Sequence, residues 1–135
     1  QVVVWLEEGL VPLSESLNSD DRFSVQVGDA YKKLWQPPAE QYDLILIDID
    51  HSPDDRLGSV DQRFYGEEGL FHARQHLAPG GVLGIWSYEE SLQLATAMEQ
   101  VMDRVQVKPV THVNLLIDQT QTDWLYFGAI EQGDQ

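Results

Sequence analysis

A chain of 135 residues holds one domain with one sizeable core, and a hydrophobic content of 42% excludes a disordered polymer. Its 23 acidic and 8 basic residues give a net charge of −15, which argues against a nucleic-acid partner and would attract a cationic small molecule or a basic protein, although solubility or adaptation to salt alone accounts for such a charge. There is no cysteine for a disulfide or a thiolate metal site. No apolar run reaches the ~20 residues of a membrane span, and no basic-then-apolar leader opens the chain, so a cytoplasmic location is expected.

Residues 2–6 form a continuous apolar run, β-branched at its start, which predicts a strand buried on both faces. Leu10, Val11, Leu13 and Leu17 follow at roughly helical spacing, with Pro12 tolerable only in a first turn. Phe23, Val25 and Val27 alternate with polar residues and predict a second strand over 22–27. Gly28-Asp29-Ala30 then turns into a short helix that Pro37-Pro38 stops.

Residues 42–50 (YDLILIDID) carry the strongest strand signal. Its unbroken apolar middle predicts the centre of a parallel sheet covered on both faces. The polar stretch 51–61 contains Pro53 and Gly58 and reads as a loop, in the position where α/β folds often place function. A helix is expected over 67–77, with Leu70, Phe71, Arg74 and Leu77 on one side. Residues 78–81 turn the chain into a buried strand over 82–86. Ser87 and Glu90 have the spacing of a capping box for a helix that ends near residue 102. Strands over 105–113 and 124–130 are expected to pair antiparallel, and the domain spans 1–130 with a frayed tail over 131–135. Strands alternating with helices make this an α/β fold of Rossmann type.

Such folds hold a nucleotide at a glycine-rich turn directly after the first strand. This chain has ten glycines but no such turn between a strand and a helix. The expectation is that residues 2–6 are the second strand of the parent fold, with the first strand, its glycine loop and its helix lying upstream. The strands over 2–6 and 43–49 would then either close onto each other or be bridged by a second chain, as in a homodimer.

Four blocks in register, RFSVQVGDA (22–30), YDLILIDID (42–50), Phe64-Tyr65 and LAPGGV (77–82), resemble the spermidine synthase-like proteins of the S-adenosylmethionine-dependent methyltransferase superfamily. The resemblance implies a Rossmann-like class I methyltransferase sheet of strand order 3-2-1-4-5-7-6, mostly parallel with an antiparallel C-terminal strand. It implies aminopropyl transfer from decarboxylated S-adenosylmethionine to a diamine, with the adenosyl compound as co-substrate and no other cofactor required. Methyl transfer within the same superfamily and a non-catalytic remnant of the fold are the alternatives.

By the same resemblance Gly28, Asp29 and Ala30 face the adenine, with Asp29 accepting from its amino group. Asp29 is also a good helix N-cap. Asp48 would face the reacting amine at the end of the central strand, although an aspartate there can equally bond its own backbone. Three positions depart from the family. His51 stands where its second aspartate falls, with Asp50 one residue short. Trp86 replaces a glutamine. Trp5 or Leu6 replaces the ribose-binding acid, with Glu7 close by. The catalytic candidates are thus Asp48, Asp50 and His51, and the cofactor-side candidates are Glu7, Gly28, Asp29 and Ala30.

No metal is expected. Asp48, Asp50, His51, Asp54 and Asp55 lack the spacing of a calcium loop. His72 and His76 stand at i and i+4 without the glutamate or third ligand of a zinc site, and read as surface histidines.

Overall fold

The computed structural model describes residues 1–48, 53–54 and 61–132. Its elements are α1 (Val2–Glu7), α2 (Ser14–Asn18), α3 (Ala30–Trp35), β1 (Tyr42–Ile47), α4 (Asp61–Phe64), α5 (Glu67–Gln75), β2 (Leu77–Ser87), α6 (Leu92–Val101), β3 (Arg104–Asn114) and β4 (Gln119–Ala129). Four strands form one sheet in the order β1-β2-β4-β3. β1 runs parallel to β2, and β4 lies antiparallel between β2 and β3.

The core lies under α5 and α6. Phe64, Leu70, Leu77, Leu83, Ile85, Leu94, Met98 and Tyr126 are buried there. Gly69 is required for the close approach of α4 to α5, because a Cβ at residue 69 would stand 2.3 Å from the Phe64 carbonyl oxygen and 2.4 Å from its Cα. Arg74 ties α5 to the far end of α6: it donates to the Val101 carbonyl and to both carboxylate oxygens of Asp103, at 2.9 and 3.1 Å.

The N-terminal segment departs from expectation. Residues 2–6 are helical in α1, which buries no residue, and residues 22–27 form no strand. A strand satisfies its N–H and C=O groups only through a neighbouring strand, whereas a helix satisfies them within itself. Residues 2–6 do not pair with β1, and among the described residues nothing pairs with its outer edge. β1 is therefore an edge strand and not the covered centre of the sheet, and Leu44 and Leu46 are 54% and 66% exposed. Ile45 and Ile47, on its other face, pack against the core.

Three smaller differences are local. The Pro-Gly-Gly segment lies inside β2, as an irregularity where the register jumps from Tyr42↔Leu77 to Leu44↔Val82. Gly80 there has φ +81, and a Cβ on Gly81 would come within 2.8 Å of the Ala78 carbonyl oxygen. The α6 cap is Ser91, whose hydroxyl accepts from the Leu94 N–H at 3.0 Å, while Ser87 folds back on Glu89. Phe71 points to solvent, since the buried stripe of α5 is Gly69, Leu70 and Ala73.

Candidate functional site

β1 presents its residues along a groove of about 650 Å³ that opens at the unpaired edge of the sheet. Ala30 and Leu34 of α3 form part of its lining, together with Leu46, Ile47 and Asp48. Asp48 follows directly on Ile47, which is in register with Ile85, so it stands beside Trp86 at the C-terminal ends of two adjacent parallel strands. Asp48 is exposed. In open α/β sheets this end of the strands is the one that faces ligands.

At the Tyr42 end the groove carries a cation. Lys33 Nζ donates to Gln26 Oε1 at 3.0 Å and to the Tyr42 hydroxyl at 3.4 Å, and it lies 5.8 Å from the centre of the Tyr42 ring. The groove thus has Asp48 at one end, and at the other Lys33 together with the Glu40 carboxylate, which accepts from the same Tyr42 hydroxyl, with the apolar residues of β1 between.

Asp29 caps α3: its carboxylate accepts from the Lys32 N–H at 2.9 Å. It lines a second cavity of about 420 Å³ with Tyr31, Trp35 and Arg63, separate from the groove that holds Asp48. Gly28 is exposed, with open space around its Cα. Glu7 lies exposed at the end of α1 and lines neither cavity. Asp50 and His51 lie outside the described residues. The structure thus places Ala30 and Asp48 on one groove, whose lining includes neither Asp29 nor Glu7.

Around the adjacent end of β2, Trp86 and Tyr88 have ring centres 6.4 Å apart. Behind them lies a polar cluster that the sequence did not suggest. Tyr126 is fully buried, its hydroxyl accepts from the Ser91 N–H at 2.6 Å, and the Ser91 hydroxyl donates to Asp54 Oδ1 at 3.0 Å. Burial pushes the Tyr126 phenol up from its ordinary value, and the nearby Glu90 and Asp54 charges add to the rise. The detectable signal was a serine four residues after Ser87, close enough to the helix start to compete as its cap.

His72 and His76 make structural contacts. His76 is buried and not a surface residue, with Nε2 2.9 Å from the Gln36 carbonyl oxygen. His72 stacks on Trp35 at 5.2 Å. Among the described residues no group of three or more His, Asp or Glu side chains is arranged to hold a metal ion. No helix among them is long and apolar enough to cross a membrane.

No protein-family model matches the chain, and comparison with curated proteins gives no match. Solved structures do match. A probable spermidine synthase from Corynebacterium glutamicum is 21% identical, with a TM-score of 0.59 over 90% of this chain and 44% of its own. Human methyltransferase-like protein 13, solved in complex with SAH, is 15% identical, with a TM-score of 0.62 over 96% of this chain and 60% of its own. The chain has the fold these proteins share, a Rossmann-like methyltransferase sheet, in part. It spans less than two thirds of the length of either. The observed order β1-β2-β4-β3 corresponds to the 4-5-7-6 portion of the order that the family resemblance implies.

Proposed function

We propose that the chain is a spermidine synthase-like aminopropyltransferase domain of cytoplasmic polyamine biosynthesis, and that these residues contribute the amine-holding side of its site. The observation that carries the reading is Asp48, exposed directly after β1, whose last residue Ile47 pairs with Ile85, and on the same groove as Ala30. A carboxylate there holds an ammonium and takes up its proton as the amine becomes a nucleophile. The indole of Trp86, where the family has a glutamine, offers the same cation a π face. The net charge of −15 raises the local concentration of cations around it. Decarboxylated S-adenosylmethionine would supply the aminopropyl group. Without a glycine-rich turn, these 135 residues alone hold it weakly and do not complete the transfer. A homodimer would form most readily through the unpaired edge of β1.

Methyl transfer is the second reading, favoured by the comparable likeness to the human methyltransferase-like protein. Calorimetry separates the two. The chain is expected to bind 1,4-diaminobutane, and Asp48→Asn to weaken that binding by about tenfold, the loss of one hydrogen bond to a charged group. Binding of S-adenosylhomocysteine with no heat from the diamine would replace this reading with the methyltransferase one. Binding of neither would favour a non-catalytic domain.

A further inference from the structure

β1 pairs with β2 on one side, and among the described residues nothing pairs with its other edge. Such an edge leaves a row of N–H and C=O groups without ladder partners and invites a further strand. Edge strands are commonly guarded by lysine or proline, as β3, at the opposite edge, is by Lys108 and Pro109. β1 has neither. Leu44 and Leu46 stand exposed at its middle, and the groove that holds Asp48 runs along it. The residue pattern is also symmetric about Ile45: Leu44 and Leu46 flank it on one face of the strand, and Tyr42 and Asp48 lie on that face at equal distances beyond them.

We propose that β1 pairs antiparallel with β1 of a second copy about a two-fold axis through Ile45, and that this pairing and an amine compete for Asp48. The axis sets residues whose N–H and C=O point outward opposite residues that do the same, so the ladder continues across it. It sets Leu44 against the partner's Leu46, and Asp48 against the partner's Tyr42. Lys33 donates to that hydroxyl and has no ion pair of its own among the described residues. Directly opposed side chains stand about 5 Å apart at Cβ, which puts the partner's Lys33 in reach of Asp48. Each copy carries −15, but exposed charges more than about 8 Å apart are largely screened at physiological salt. Residues 42–48 are far fewer than the roughly 20–30 a side of a standard interface, so the dimer is weak and reversible. The competition rests on the amine-binding reading; the pairing does not.

Sedimentation equilibrium of the whole chain is the test, with two doubly substituted chains that keep the fold because both positions are exposed. Leu44→Lys with Leu46→Lys opposes lysine to lysine at both crossings. Leu44→Lys with Leu46→Glu opposes lysine to glutamate at both, and does so only when the axis passes through Ile45. The parent is expected to dimerise with a Kd between about 1 μM and 1 mM. The first variant is expected to raise that Kd at least about tenfold, and the second to dimerise at least about threefold more tightly than the first. Saturating 1,4-diaminobutane is expected to weaken the parent dimer at least about threefold. A parent chain that stays monomeric up to ~1 mM would overturn the pairing and leave the edge to a different chain. Equal weakening in the two variants would overturn the register. A dimer indifferent to a diamine that calorimetry shows to bind would overturn the competition. The same dimer in a chain that binds no diamine would support the pairing while removing the proposed function.

Discussion

Residues 2–6 and 82–86 are two short apolar runs of the same kind, yet one is a helix and the other a buried strand. β2 has β1 on one side and β4 on the other, so its backbone groups are paired along the row Ile47, Ile85, Tyr126. Residues 2–6 have no strand beside them, and their backbone closes on itself in α1, whose main neighbour is α2. An apolar, β-branched run makes a strand only when something offers it a ladder. The same contrast sets the energetics, since α1 buries no residue while α5, β2 and α6 hold most of the core.

Breaking the well-packed region has the largest expected effect. Gly69→Ala puts a methyl group against the Phe64 backbone, which cannot give way as a flexible side chain could. The expected loss is about 3 kcal/mol, the upper end for overpacking, and urea unfolding would register it as a lower midpoint. A change below ~0.5 kcal/mol would mean that α4 moves freely against α5.

A smaller effect comes from the seam that joins α5 to the end of β4. The Glu131 N–H, donating at 2.7 Å, and then the Arg74 guanidinium hold the Asp103 carboxyl below its ordinary range. A carboxyl lowered in the folded state stabilises it above the unfolded pKa of about 3.9, and that contribution is lost as pH falls through the lower folded value. Asp103→Asn should therefore flatten the acid side of the stability profile while leaving its shape above pH 5 unchanged. Urea midpoints between pH 2 and 7 measure this, and an equally steep acid limb in the variant would assign it to other carboxylates.

The smallest effect belongs to the N-terminal helix. Val3→Asp in α1 is expected to change stability by less than ~0.5 kcal/mol, because no side chain of that helix is buried. A loss above 1 kcal/mol would show that residues 2–6 reach a buried partner in solution, as a strand on β1 would.

Much of the C-terminal two thirds was legible from residue pattern alone. The apolar centre of 44–47, the helix before Leu77, the strand through Val82 and Ile85, and the antiparallel pair at the end all follow from periods that nearby partners satisfy. Asp48 was legible as the first polar residue after an apolar strand, and Asp29 as a cap. What the tertiary structure alone decided is whether a strand finds a neighbour and which acceptor a side chain meets. Residues 2–6 and 22–27 have the patterns of strands, but strand formation is a pairwise property and no pattern within a segment contains its partner. The burial of His76 against the Gln36 carbonyl and the convergence of Ser91 and Tyr126 depend on contacts across 35 or more residues of chain. Local sequence sets the period and the caps. The meeting of distant backbone and side-chain groups is fixed only when the sheet closes.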